Sequence, residues 1–172
     1  MLLSSSLVVP IPEAATAIHG LRLRFDPGAA AGMPAHVTLL HPFVEPAAID
    51  HAVLEKLRCA IWKNGAFRVV FETIESFPSG TVYLRPSPAR PFAALTEQLV
   101  REFGIEPYAG LFDTITPHLT IGQRMSPQDA TLVREEVMSL LPIEAVAAEV
   151  WLVAGSNETE WVRRASFELG PD

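Results

Sequence analysis

Two copies of one short pattern constrain this chain more than any other feature. Pro34-Ala35-His36-Val37-Thr38-Leu39-Leu40 and Thr116-Pro117-His118-Leu119-Thr120-Ile121-Gly122 each read His, apolar, Thr, apolar, with a proline just upstream. Successive side chains of a β-strand point to opposite faces. As strands, the two runs put His36 and Thr38 on one face and send Val37 and Leu39 into a core. His118 and Thr120 stand in the same relation to Leu119 and Ile121. A fold that satisfies both runs offers two imidazoles and two hydroxyls from strand faces.

The surrounding elements recur in the same order. Leu7 to Ile11 reads as a strand, and Glu13 to Phe25 as an amphipathic helix burying Ala14, Ile18, Leu21 and Phe25. Asp26 to Ala35 is a Gly-, Ala- and Pro-rich loop, and the His36 strand closes at Pro42. A second helix runs from Pro46 to about Asn64, with Gly65 as its cap and Val53, Leu57, Ala60 and Ile61 as its buried stripe. Phe67 to Phe77 and Thr81 to Arg85 form two strands around Pro78-Ser79-Gly80. The third helix, Pro91 to Gly104, buries Phe92, Leu95, Leu99 and Phe103 and spaces Glu97 and Arg101 as an ion pair. After a loop to Thr116 comes the His118 strand. The fourth helix has Ser126 as N-cap, Pro127 at N1 and Asp129 at N3, and buries Val133, Val137 and Leu140 or Leu141. Two strands, Ala145 to Ala154 and Glu160 to Leu169, turn at Gly155-Ser156-Asn157.

Each half therefore reads strand, helix, His-bearing strand, helix, strand, strand, over roughly 5–85 and 80–169. The expected fold is α+β and bilobal within one domain, 1–172. Two pseudo-symmetric lobes of antiparallel sheet, flanked by helices, enclose a central cleft that holds both His strands.

The 172-residue length suffices for a core without disulfides or metals, and 49% apolar against 19% charged residues excludes a disordered chain. The lone Cys59 suits a reducing compartment and is expected near the buried side of its helix. A net charge of −7 argues against a broad grip on long duplex nucleic acid but permits a small anion in a local pocket. The stretch from Met1 to Ala17 lacks a basic start and is interrupted by Ser4-Ser5-Ser6, Pro10 and Pro12, unlike a secretion signal. No run is long enough to span a membrane. A cytoplasmic monomer is expected.

Cleaving a phosphodiester needs a base for the attacking oxygen's proton and an acid for the leaving oxygen. Imidazole titrates near neutrality, so a histidine pair can hold one neutral and one charged member at once. Thr38 and Thr120 supply hydroxyl donors for non-bridging phosphate oxygens. Neither motif contains an Asp or Glu for a metal, and no metal or cofactor is expected. A site built from His36, His41 and His118 is conceivable on ligand type, but the paired threonines argue against it.

The residues now carry a resemblance. His36-Val37-Thr38-Leu39 with His118-Leu119-Thr120-Ile121 resembles the signature of the two-histidine (2H) phosphoesterase superfamily. The run Pro34 to Phe43 resembles its bacterial branch, the 2′-5′ RNA ligase family. The resemblance covers essentially the whole chain. It implies metal-independent action on 2′,3′-cyclic phosphates or 2′-5′ linkages in small nucleotides or RNA ends, with His36 and His118 as the catalytic pair and Thr38 and Thr120 as phosphate holders. Run backwards, the same pair joins a 2′-hydroxyl to a cyclic phosphate, a ligase activity. Some relatives place a basic residue directly after the second motif; here Gly122 and Gln123 come first, so Arg124 is assigned no phosphate role.

Tyr83 and Arg85, sharing a strand face, are kept as possible substrate contacts, as is His41 at the cleft rim. A regular strand puts His41 on the face opposite His36. Phe43 is a weaker candidate for base stacking than Tyr83, and Trp151 and Trp161 are expected in the core. His19 and His51 are expected in solvent, and Arg163 and Arg164 face opposite ways. The rival readings are a nucleotide-binding module without turnover and a structural protein. The intact His and Thr pairs favour an enzyme.

Overall fold

The computed structural model describes residues 3–171; Met1, Leu2 and Asp172, included in the expected domain, lie outside the described residues. The chain forms one eight-stranded antiparallel sheet with helices packed on its apolar face. The strands are β1 (Ser4–Pro10), β2 (His36–Leu40), β3 (Phe67–Ser76), β4 (Val82–Ser87), β5 (Leu119–Gly122), β6 (Ile143–Ala147), β7 (Glu149–Gly155) and β8 (Val162–Glu168). Their order is β6-β3-β4-β5-β2-β1-β7-β8. The centre falls between β5 and β2, the two strands that carry the motifs.

The two flanks of this order differ from the sequence halves. One flank is continuous in sequence, β3 to β6. The other takes β1 and β2 from the start of the chain and β7 and β8 from its end. The expected single strand from Ala145 to Ala154 is in fact two, β6 on β3 and β7 on β1, joined by Ala148 alone. Two residue steps span at most about 7 Å, whereas the six strand spacings between β6 and β7 would cover about 29 Å if the sheet were flat. The sheet therefore curls until its flanks meet. Gly65 and Gly170 bridge the same region, with Ala66 N–H donating to Gly170 O at 3.1 Å. Gly65 is thus a sheet contact, where the sequence suggested a helix cap.

The helices are α1 (Pro12–Phe25), α2 (Pro27–Ala30), α3 (His51–Trp62), α4 (Arg90–Phe103) and α5 (Pro127–Met138). α1 begins on β1's flank but packs on β5 and β6, and α4 crosses the other way onto β2. The helix of each flank thus packs across the centre of the sheet onto the other flank, and the two share one core. Gly122 permits this contact: a Cβ there would lie 2.7 Å from Phe25 Cβ and 2.6 Å from Met125 Sδ. Asp50, rather than the Pro46 turn, caps α3, its side chain accepting from Val53 N–H at 2.9 Å. Gly104 ends α4 in the left-handed region at φ 66°, where glycine has no Cβ penalty. Ser126 caps α5 as expected, accepting from Asp129 N–H at 3.1 Å. Leu141 packs against the core while Leu140 is exposed. Glu97 pairs with Arg90 at 2.7 Å rather than with Arg101, and Cys59 turns to solvent beside the buried Leu57, Ala60 and Ile61. His19 and His51 are exposed.

Candidate active site

The motifs meet at the centre of the sheet. β2 and β5 pair with Val37 opposite Leu119. Continuing this antiparallel register by one residue sets His36 opposite Thr120 and Thr38 opposite His118. Directly opposed residues in such a pair have Cβ atoms about 4.5–5.5 Å apart. Val37, Leu39, Leu119 and Ile121 fill the core, leaving both histidines and both threonines on the other face.

Both imidazoles are held alike. His36 Nδ1 lies 2.6 Å from Pro34 O, and His118 Nδ1 lies 2.8 Å from Thr116 O. A carbonyl only accepts, so each Nδ1 carries the proton and the neutral ring keeps its lone pair on Nε2. The Thr38 hydroxyl sits 3.1 Å from His36 Nε2. Both rings line a cavity of about 870 Å³, within the range of small-molecule sites. Among its lining residues there is no lysine or arginine.

The surroundings of the two rings differ. Behind His36 the buried Arg22 gives Nη2–H to Asp26 at 2.7 Å, Nη1–H to Met33 O at 3.2 Å and Nε–H to Thr120 O at 3.2 Å. Asp26 Oδ1 accepts from Gly28 N–H and from Gln123 Nε2, each at 3.0 Å. This network ties α1, α2 and β5 together under the motif strands. Burial pushes the His36 imidazole down to about 4; the nearby Arg22 and His118 act in the same direction, and the Pro34 carbonyl and Asp26 oppose them. His118 is flanked edge-on by Phe77 at 5.0 Å and Tyr83 at 5.3 Å. Burial lowers it too, against the Thr116 carbonyl.

The remaining candidates divide. His41 lines the cavity because β2 is irregular. Leu7 pairs with Leu40 but Val8 with Thr38, so Leu39 is an extra residue; Leu39 and Leu40 both enter the core and alternation resumes one step out of phase. The expected opposite face was thus wrong for His41. Tyr83 is 3% exposed and lies behind His118, its hydroxyl donating to Glu75 at 2.8 Å. Arg85 also goes to Glu75, at 3.1 Å, beside a separate shallow depression. Neither lines the cavity, so both are corrected from substrate contacts to supporting positions. Phe43 is buried against Phe103, with ring centroids 5.0 Å apart. Trp161, expected in the core, precedes β8 and lines the cavity, whereas Trp151 packs with Val8, Met33 and Val153. Arg124 is exposed in the turn after β5.

The sequence reading missed Ser6, Arg22, Asp26, Tyr108, Gln123 and Asn157. Arg22 and Asp26 carried a signal: they continue the apolar stripe through Ile18 at four-residue steps, where an opposite-charge pair is placed for burial. Tyr108 and Asn157 sit in turns, where no periodicity marks a side chain's direction. Among the described residues, no group of three or more His, Cys, Asp or Glu is placed to hold a metal ion. No helix there is long and apolar enough to cross a membrane.

Comparison with known proteins agrees with the fold that carries this site. A Bacillus cytotoxicus protein that bears the name of a phosphoesterase is 29% identical over 155 residues, covering 88% of each chain. The crystal structure of Escherichia coli LigT in its apo form matches with a TM-score of 0.63 at 17% identity over 99% of both chains. TT0787 of Thermus thermophilus matches at 0.59 and 16% over the full length of both. The model of the 2′-5′ RNA ligase superfamily matches residues 10–159, and the chain belongs to that superfamily.

Proposed function

We propose that this protein is a metal-independent phosphodiesterase acting on 2′,3′-cyclic phosphates or related small phosphodiesters of nucleotides and RNA ends. The observation that carries the reading is the matched presentation of His36 and His118. Each ring is anchored through Nδ1, and each keeps Nε2 on the cavity face across one strand pair.

His36, the more strongly depressed of the two, is neutral at physiological pH and acts as the base. Its Nε2 takes a proton from water as the water oxygen attacks phosphorus. His118 in its charged form gives a proton to the departing ribose oxygen, leaving a phosphomonoester and a free hydroxyl. Thr38 and Thr120 donate to the non-bridging oxygens as charge grows there. On substrate entry Thr38 exchanges its bond to His36 Nε2 for a phosphate oxygen, which frees the base.

The lining lacks fixed cations, which favours a singly charged diester over a doubly charged monoester. The product is thus held less tightly than the substrate. LigT has been crystallised with 3′-AMP, with ATP, with NADP+ and with phosphate, which supports a small nucleotide ligand here as well.

Phosphorus NMR with a chelator present tests the proposal on 2′,3′-cyclic nucleotides, ADP-ribose 1″,2″-cyclic phosphate and a 2′-5′ dinucleotide. At least one diester signal should be replaced by a monoester signal. Binding without conversion of any probe favours the module that senses ligand without turnover, and activity abolished by chelator overturns the metal-free mechanism.

A further inference from the structure

The cavity holds a third histidine that the proposed mechanism does not use. His41 Nδ1 lies 2.5 Å from the hydroxyl of Ser6, which is 3% exposed. That is the hydroxyl's one hydrogen bond among the described residues. Were Nδ1 protonated, the Ser6 hydroxyl, which lines the cavity, would have no protein acceptor for its proton among the described residues. With Ser6 donating to Nδ1, both groups are satisfied and the His41 proton resides on Nε2. This is the reverse of His36 and His118, whose Nδ1 atoms face carbonyls. The pair that does the chemistry presents lone pairs; His41 presents a donor. Burial also lowers its proton affinity, which favours the neutral ring.

The neighbourhood of that donor is aromatic. Tyr108 and Trp161 stand edge-on to His41, with centroids 6.2 and 6.3 Å away. Trp161 is fixed by its Nε1–H to Asn157 Oδ1 at 2.9 Å, and all four residues line the cavity. Aromatic faces beside a neutral donor suit a planar ring with acceptors on its edge.

We propose that His41, set as an Nε2–H donor by Ser6, recognises a nucleobase carried by the phosphodiester, with Tyr108 and Trp161 supplying the stacking surface. His41 is then a specificity-determining contact and Ser6 a positioning residue. The assignment rests on the phosphodiester reading and extends it to the substituent.

The test compares 2′,3′-cyclic AMP with the 2′,3′-cyclic phosphate of 1-O-methylribose, which has no base. The wild-type kcat/KM ratio between the two should exceed about tenfold, the range expected when stacking and a hydrogen bond are both lost. His41→Phe should lower the ratio severalfold through KM rather than kcat, leaving the share that Tyr108 and Trp161 supply by stacking, and His41→Gln, which keeps an N–H donor, should recover part of the loss. In nitrogen-15 NMR, His41 should show an unprotonated Nδ1 and a protonated Nε2, and Ser6→Ala should mix the two tautomers. Equal losses on both probes in His41→Phe, or an Nδ1-protonated His41 in the wild type, would overturn the proposal.

If the wild type converts neither probe nor any diester of the phosphorus NMR assay, the phosphodiesterase reading fails by itself. Calorimetry with AMP and ribose 5-phosphate then decides the nucleobase site. A preference for AMP that His41→Phe weakens supports it, and no preference, or one that His41→Phe leaves unchanged, overturns it.

Discussion

The His36 and His118 halves of the site have the same geometry and unlike surroundings. Each ring is pinned by a carbonyl two residues upstream, yet a buried Arg22–Asp26 network lies behind one and the Phe77 and Tyr83 rings flank the other. Backbone pairing makes the two imidazoles equivalent in position. Burial makes them unequal in proton affinity: desolvation lowers both and His36 further, with Arg22 adding to the lowering of His36 while the Pro34 carbonyl and Asp26 oppose it. A pseudo-symmetric fold can thus present two copies of one residue and still give them unlike proton affinities.

Removing either ring gives the largest expected effect. His36→Ala and His118→Ala should each lower kcat on a cyclic nucleotide by about a thousandfold. The two should separate on a substrate whose leaving group is p-nitrophenolate, which departs without a proton. His118→Ala should regain most activity there and His36→Ala should not, and equal recovery would break the division of roles.

Next is the backing of His36. Arg22→Met leaves Asp26 buried without its cation and should cost about 3–5 kcal/mol of stability, read from urea unfolding. A loss under 1 kcal/mol would show that Asp26 finds other partners.

pH sharpens the same comparison. His36 is fully in its base form a unit or so above about 4, while the charged form of His118 is lost as pH rises through a value below 6.5. The kcat/KM profile should therefore peak between these limits, on the acid side of neutrality. Stability moves with the same group. His36 titrates lower when folded than when unfolded, so the unfolded chain takes up its proton first on acidification. That part of the stability is present above pH 6.5 and lost as pH falls toward 4. It amounts to roughly 2 kcal/mol after discounting the ring's partial exposure.

The smallest effect is expected behind His118. Tyr83→Phe removes the bond to Glu75, keeps the ring, and should change kcat less than threefold and stability by about 1 kcal/mol. A large loss of kcat would return Tyr83 to the substrate side.

The four motif residues were legible because alternation along a strand is a local property. His41 was legible as a rim contact but its face was not, since the bulge at Leu39 arises only when β2 pairs with β1. The division between β6 and β7 left a trace in the sequence. Buried positions run through Ala145 and Ala147 and then through Val150 and Leu152, a change of phase at Ala148. Tyr108 and Trp161 reach the cavity from turns whose direction is set by distant partners, and the hydrophobic pattern carries no information about them.

The single-residue passage at Ala148 gives the cleft a fixed aperture. Lobes joined by a slack linker can clamp around a ligand and swing apart to release it. Here, parting the flanks pulls on one residue and on the Gly65–Gly170 bridge, while α1 and α4 lie across the divide. Substrate entry and product exit therefore fall to the hairpin tips at 77–81 and 156–161 and to the 107–116 loop, which border the cavity. Diversity in what such a frame admits should arise from exchanging those loops, with the two-histidine centre left rigid beneath them.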